Sequence, residues 1–508
     1  MKNKSVWILA GYCCILYGLW ISAVPLLDPD EPVYGQTAKE MIQSGDWLSP
    51  RIYGSFWYDK PPFFYWMEAL SYQFLGVSVF SSRLPALLSG LFTVVFLYES
   101  SRKPFGEKAA FWGALICASS LEIVLLSRSA VTDMTLTAAL TAALMGFLTS
   151  RYVTAYAACG AALLIKGPIG FAFPAFIVLL WLVSLHRFSF KELGRIRWYW
   201  GIPLACAVGF PWYIYMASVH GAPFIDTFLG YHNITRFLSP EHAGQDHVWL
   251  YVPVLLIGFF PWSGTLPLLF HFRRLIWNHE GARYLLIWCA VIFLFFSFSS
   301  TQLISYILPM FPPLSLLAGF CLTQADVRLR FFPAAHIFFQ CLTGAALAAS
   351  PLLPEGGRAV QYGSAAFLCL EGPAAAYLWV KGHRSFMMAL QCIMMVGFIA
   401  SVYTLYSVPV TKSFTSERIV RHMEMTEKDP SIPLYIDPFY RPASAFYTDI
   451  YGLPMPPLAG SDRLPGRAYI LIQKKLYDRW PERNSASWTL LWETDTGAFF
   501  LKEKGASQ

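Results

Sequence analysis

Apolar residues along this chain come in long blocks with short polar or charged segments between them. Blocks of roughly 17 to 25 apolar residues can cross the hydrocarbon of a bilayer, and in lipid they must be helical so that every backbone N–H and C=O is paired internally. The first covers residues 6–27. Later ones begin near Arg83, Ala109, Val131, Val153, Ile169, Tyr199, Trp249, Tyr284, Leu303, Phe331, Ala359 and Phe386, which predicts about thirteen spans. The stretch 153–185 is either one long tilted helix or two helices broken at Lys166-Gly167-Pro168. The first block follows the basic start Met1-Lys2-Asn3-Lys4 but is long for a signal peptide and lacks a small-x-small cleavage site, so a retained anchor is expected.

Past about Tyr406 the pattern changes. Charged residues and prolines return, and Leu434-Tyr435-Ile436, Tyr469-Ile470-Leu471-Ile472 and Phe499-Phe500-Leu501 read as short strands. A helix is expected over 415–428, with Thr415 as its N-cap ahead of Glu417. The predicted fold class is therefore a polytopic α-helical membrane protein over 1–406, whose first outer loop, 28–82, is amphipathic, followed by a small soluble α/β domain over 407–508.

Composition agrees with this division. With 56% hydrophobic and 14% charged residues among 508, the chain cannot cover itself with a soluble surface. All ten cysteines fall within the apolar blocks, so neither a disulfide framework nor a cysteine zinc site is supported. Basic residues mark cytoplasmic loops. Arg102-Lys103, the cluster over 187–197, Arg273-Arg274, Arg328 with Arg330, and Lys381 with Arg384 fall on one side together with Lys2 and Lys4, provided the stretch 153–185 forms two helices. The amino terminus is then inside and the tail outside, periplasmic if the membrane is a bacterial inner membrane. These loops account for most of the net charge of +7, which points to anionic lipid headgroups rather than nucleic acid.

The remaining charges gather toward the outer side: Asp30, Glu31, Lys60, Arg83, Glu122, Arg128, Asp133, Lys166 and Arg236. Ionisable groups at such depths are costly unless they face water, a partner or a substrate, so a cavity open to the outer leaflet is the simplest common cause. Plain readings exist for several. Lys166 and Arg83 fit as snorkelling residues, Arg128 and Asp133 are close enough to pair with each other, and Glu122 has no obvious local partner. Two adjacent acids at a membrane mouth, Asp30 and Glu31, have less structural use. The aromatic stretches 34–42, 56–58 and 63–74 should lie along the interface as a rim.

Asp30-Glu31-Pro32-Val33-Tyr34, Gly45-Asp46-Trp47, Tyr58-Asp59-Lys60-Pro61-Pro62 and Arg83-Leu84-Pro85 resemble the opening of the bacterial lipid-linked-sugar glycosyltransferases typified by the aminoarabinose transferase of lipid A, relatives of the protein O-mannosyltransferases. The resemblance continues through Thr132-Asp133-Met134, Lys166-Gly167-Pro168, Pro211-Trp212-Tyr213, Arg236-Phe237, Phe260-Pro261-Trp262 and Ser305-Tyr306-Ile307-Leu308-Pro309. It implies the multi-span GT-C architecture and a sugar moved from a polyprenyl-phosphate donor to a lipid, glycan or protein acceptor. Two positions depart from the pattern: Val33 stands where an arginine often helps hold the donor phosphate, and Gln302 replaces a common lysine.

The residues permit this chemistry. No Gly-rich phosphate loop is present, and outside the cytoplasm a glycosyl donor must be lipid-borne. Asp30 is the candidate base or orienter of an acceptor hydroxyl in a direct, inverting displacement, with Glu31 as neighbour or substitute. Lys60, Arg236 and Lys166 are candidates to neutralise the leaving phosphate, and Arg83, Asp133, Tyr34 and Tyr306 to line the cavity. Asp28-Pro29-Asp30 imitates the D-x-D of metal-dependent sugar transferases but ends a membrane helix, so it is read as a chance match. A divalent cation such as zinc would have to use Asp59, His232 and His242, which lack close ligand spacing. The alternative is a lipid or polysaccharide flippase or transporter, which would spread charge through the midplane and repeat its broken spans in two halves.

Overall fold

The computed structural model describes residues 2–228, 230, 249–349, 358–456, 464, 466–480 and 487–502. Two compact units emerge. The first comprises Met1–Ile21, Tyr58–Met67 and Arg83–Leu405; the second comprises Ser22–Trp57, Glu68–Ser82 and Tyr406–Gln508. Most of the expected outer loop thus groups with the tail rather than with the membrane helices.

The first unit is helical. Its opening elements are α1 (Lys2–Gly18), and after the excursion into the second unit, which holds α2 (Asp30–Ser44), come α3 (Phe63–Leu75), α4 (Val79–Phe105), α5 (Glu107–Ser119), α6 (Leu121–Leu126), α7 (Thr132–Leu148), α8 (Tyr152–Lys166) and α9 (Ile169–Ser184). The residues of α3 and α4 are divided between the two units at Met67/Glu68 and Ser82/Arg83. The apolar blocks become helices that start within a few residues of the expected positions, through Trp198–His220, Glu280–Ser297, Phe331–Ala348, Arg358–Val380 and Arg384–Phe414. The break at Lys166-Gly167-Pro168 is real: α8 stops at Lys166, Gly167 turns at φ 82°, and α9 starts at Ile169.

Among the described residues, six helices are long and apolar enough to cross a membrane, and a seventh crossing would join Tyr251–Gly258 to Trp262–His271 across a 106° bend. Lys4–Gly18, Thr132–Leu148, Tyr152–Lys166 and Ile169–Ser184 are apolar but shorter. The chain is a multi-pass helical membrane protein, though fewer helices reach full span length than the block count suggested, because Ser120 divides one block and others, such as Tyr152–Lys166 and Ile169–Ser184, form short helices.

Packing inside this unit relies on small residues where backbones meet. A Cβ on Gly113 of α5 would lie 2.8 Å from Leu316 Cα, and one on Gly319 would lie 2.5 Å from Gly113 N. The helix Phe311–Gln324 therefore rests directly on α5, as membrane helices do when dispersion rather than water expulsion drives their association.

The second unit carries both small sheets. Strands β1 (Arg51–Ile52) and β2 (Ser55–Phe56) make a hairpin. The tail folds β3 (Leu434–Ile436), β4 (Leu453–Pro454), β5 (Ala468–Gln473), β6 (Trp488–Glu493) and β7 (Gly497–Lys502) into a five-stranded sheet ordered β4-β3-β5-β7-β6. β3 runs parallel to β4 and β5, while β5, β7 and β6 are antiparallel. The three expected strands are all present. Tyr469 and Leu471 of β5 point into one core with Ile419, Val420 and Met423, whereas Ile470 and Ile472 point into the other with Trp480 and Phe500. Both faces are covered, so the run is apolar without a break.

The expected helix over 415–428 is shorter, Glu417–Met425, and its N-cap is Ser416 rather than Thr415. Thr415 Oγ1 instead donates back to Thr411 O at 2.7 Å, continuing the preceding helix.

Candidate active site

In the membrane unit, the end of α8 and the start of α7 meet. Lys166 Nζ lies 2.7 Å from Asp133 Oδ1, with the two side chains 14% and 13% exposed, and the ammonium sits 4.7 Å from the centre of the Tyr306 ring. Gly167 lets the chain reverse at once after Lys166, and Asp133 occupies the first turn of α7, where a carboxylate is favoured by the helix dipole. Tyr306 comes from the 3-10 segment Ile304–Met310. Three residues named from separate stretches of sequence thus form one cluster. Glu122 is buried within electrostatic reach of Asp133, and its Oε1 has no hydrogen-bond partner among the described residues.

Arg128 does not pair with Asp133. Its guanidinium donates to Leu16 O, Tyr17 O and Leu19 O at 2.8, 3.0 and 2.5 Å and lies over the Tyr403 ring, so it closes the carbonyl end of α1. Arg83 is 3% exposed and donates to Ile21 O at 2.7 Å, which is buried anchoring rather than snorkelling. Lys60 Nζ is 2.8 Å from Asp59 Oδ1, and neighbouring Tyr58 meets His220 Nδ1 through its hydroxyl at 3.2 Å.

The second unit holds the acids. Asp30 and Glu31 open α2, but the fold treats them differently: Asp30 is exposed, whereas Glu31 is 2% exposed and accepts the Leu27 amide at 2.7 Å. Tyr34 is buried one turn on. Asp28 is also structural. Its Oδ2 accepts the Ser416 hydroxyl, and burial pushes its carboxyl up to about 7, partly opposed by hydrogen bonds from Ser416 and aided by the Glu31 charge.

Three acids escaped the sequence reading. Glu68 lies in the buried face of α3, Glu40 takes the amides of Tyr53 and Gly54 at 2.6 and 2.9 Å, and Asp28 had been set aside as part of a chance match. A glutamate in an amphipathic stretch carries no local signal that it will be buried. Arg236, His232 and His242 lie outside the described residues. Among the described residues no group of three His, Cys, Asp or Glu side chains is disposed to hold a metal, and Asp59 is engaged by Lys60.

Comparison with solved structures places this architecture. ArnT from Cupriavidus metallidurans, crystallised with undecaprenyl phosphate, superposes over the full length of both chains with a TM-score of 0.83 at 21% identity. The chain has the ArnT fold. The apo oligosaccharyltransferase of Archaeoglobus fulgidus matches more loosely, at a TM-score of 0.51 and 13% identity over 94% of this chain and 70% of that one. In sequence, residues 59–215 match the family model described as dolichyl-phosphate-mannose-protein mannosyltransferase. An undecaprenyl phosphate-alpha-4-amino-4-deoxy-L-arabinose arabinosyl transferase of Edwardsiella ictaluri is 30% identical over 342 residues, 63% of this chain. The chain spans 60% of that relative's length.

Proposed function

We propose that this protein is an integral membrane glycosyltransferase that moves a sugar from a polyprenyl-phosphate donor to a lipid acceptor of the lipid A kind, with a glycan or protein hydroxyl as the other acceptor classes. The observation that carries this reading is the Asp133–Lys166–Tyr306 cluster in a chain whose fold is that of a protein crystallised with undecaprenyl phosphate. A lysine held by one carboxylate and one aromatic face keeps its charge in a low-dielectric setting, ready to meet a phosphate.

In the proposed reaction the acceptor oxygen attacks the anomeric carbon, the bond to the carrier phosphate breaks, and the phosphate leaves with both electrons. Lys60, Lys166 and Arg236 offset the growing phosphate charge, the contribution expected to dominate. Asp30, the exposed acid at the start of α2, takes the proton of a hydroxyl acceptor or orients it. For an acceptor that is already an ionised phosphate, Asp30 positions the sugar instead. Glu31, bonded to the Leu27 amide, supports that turn rather than replacing Asp30. Arg83, Tyr34, Asp133 and Tyr306 shape the site. A divalent cation such as zinc, where one binds, would be held by Asp59, His232 and His242.

The proposal extends to topology: about thirteen crossings of a bacterial inner membrane, amino terminus cytoplasmic, a membrane domain over 1–406 with its first outer loop at 28–82, and a periplasmic domain over 407–508. The transporter alternative is set aside, since the relatives and the solved structure of an oligosaccharyltransferase named above are transferases.

The test incubates membranes with radiolabelled polyprenyl-phosphate sugars and compares wild type with Asp30→Asn and Lys60→Ala. Both should lose label transfer by about 10²-fold or more; undiminished transfer in both removes these residues from the mechanism. A periplasm-active reporter fused after Tyr406 should be active, and a silent fusion reverses the orientation.

A further inference from the structure

Helix α3 buries a carboxyl that its sequence does not advertise. Glu68 is 0% exposed, and neither carboxylate oxygen has a hydrogen-bond partner among the described residues. Ser71 and Tyr72 follow at the three- and four-residue spacing that shares its face. Ser71 Oγ is likewise buried without a partner, and the Tyr72 hydroxyl is taken by Ser82 Oγ at 2.7 Å. Helix α2 lies against this face: a Cβ on Gly35 would come within 3.0 Å of the Tyr72 hydroxyl, and Glu31, itself 2% exposed, stands one turn before Gly35 as Glu68 stands one turn before Tyr72.

Two carboxyls buried in mutual reach do not both ionise, because each charge loses its hydration and repels the other. The surroundings decide which one keeps the proton. Glu31 has a donor, the Leu27 amide at 2.7 Å, to stabilise its charge; Glu68 has none among the described residues. Glu68 therefore keeps its proton.

We propose that Glu68 is a positioning residue, a carboxylic acid buried where α3 meets α2 that keeps the turn from Leu27 into α2 closed and so sets where Asp30 stands. The proposal rests on the reading of Asp30 as the acid that meets the acceptor. Glu31 fastens this turn through Leu27, and Asp28 fastens it again through its own amide, which donates to Phe414 O at 2.8 Å. Ionising Glu68 would set a second buried charge against Glu31, and the strain falls on the Leu27 contact. Burial first and the Glu31 charge second hold the Glu68 carboxyl well above the usual carboxylate range. The titratable groups around it are Glu31 from α2 and Tyr72 from its own helix, with Tyr447 of the helix Arg441–Thr448 facing Tyr72 and Asp28 beside Glu31. The neutral state thus persists above the ordinary carboxylate range and is lost as pH rises through the elevated value.

Glu68→Gln keeps the shape and the neutrality, while Glu68→Ala keeps neither the volume nor the polar tip. Transfer at neutral pH should be about tenfold higher in the Gln than in the Ala variant, and the alkaline limb of the wild-type pH–rate profile should move up by about one pH unit or more in Glu68→Gln. Infrared spectra of the purified wild type without donor should show the carbonyl stretch of protonated carboxylic acids at neutral pH, and this band should lose intensity in Glu68→Gln, leaving the share of Asp28. In Glu31→Gln, which removes the neighbouring charge, the band should vanish at lower pH than in wild type. Identical alkaline limbs in wild type and Glu68→Gln, or a neutral-pH band that neither substitution alters, overturns the proposal. Because the infrared measurement needs no substrate, it decides the state of Glu68 even if the transferase reading fails; that failure would show as no transfer from any polyprenyl-phosphate sugar.

Discussion

The Ser416 hydroxyl donates a 2.5 Å hydrogen bond to Asp28 Oδ2 across 388 residues of sequence. Around it, the Leu26 amide donates to the Tyr447 hydroxyl at 2.8 Å, and the Lys39 ammonium reaches Asp449 at 2.7 Å and Phe446 O at 3.1 Å. The helix that begins with Asp30 and Glu31 is therefore built into the same unit as the tail domain.

The Asp28 carboxyl makes this attachment sensitive to pH. Its folded value, about 7, lies above the ordinary 3.8, so the folded state keeps a proton that the unfolded chain has lost between those limits. Stability should fall as pH rises through that window and level off above it. Asp28→Asn should flatten the dependence, and Ser416→Ala, which removes an opposing hydrogen bond, should steepen it. Thermal unfolding of the purified protein at pH 5 and pH 8 checks the sign; equal slopes in wild type and Asp28→Asn would remove Asp28 as the cause.

Asp133 and Lys166 should behave as a unit. Asp133→Asn and Lys166→Met each strip a largely buried charge of its partner, and each should reduce transfer by about 10²-fold. The double variant should lose much less than the product of the single effects. Multiplicative losses in this cycle would mean that the 2.7 Å contact carries no coupling.

Gly35 marks where α2 leans on the tail. A Cβ there would lie 2.9 Å from the Phe446 ring and 3.0 Å from the Tyr72 hydroxyl. Gly35→Ala should cost about 1–3 kcal/mol by overpacking, and Phe446→Leu should restore part of it by opening space. Melting temperatures of the single and double variants test this, and a Gly35→Ala protein as stable as wild type would show that the contact yields freely.

Glu40 holds the β1–β2 hairpin. Tyr53 and Gly54 both have positive φ, 56° and 75°, the conformation of a tight primed turn, and their amides point at the Glu40 carboxylate. Glu40→Ala should leave two donors without their acceptor, at about 1–3 kcal/mol. Hydrogen exchange at Tyr53 and Gly54 should quicken markedly, while β5 and β7 stay protected. Unchanged exchange at the turn would assign its stability to the backbone alone.

Much was readable from the chain alone, and the reason is the range of the interactions involved. Block length and apolarity determine where helices start, the break at Lys166-Gly167-Pro168 follows from the backbone limits of glycine and proline, and the runs that became β3, β5 and β7 carry their own strand preference. The N-cap was missed by one residue because Thr415 and Ser416 are both acceptable caps locally, and only in the fold does the Thr415 hydroxyl bond back to Thr411 O and continue the preceding helix. Partners of charges were decided by the tertiary structure: Arg128 turned to the carbonyls of α1 instead of Asp133, which went to Lys166. The same holds for the acids. Adjacent in sequence, Asp30 and Glu31 diverge because one helical step separates a solvent-facing position from a buried one, and Glu68 becomes a neutral group only once folding removes its water.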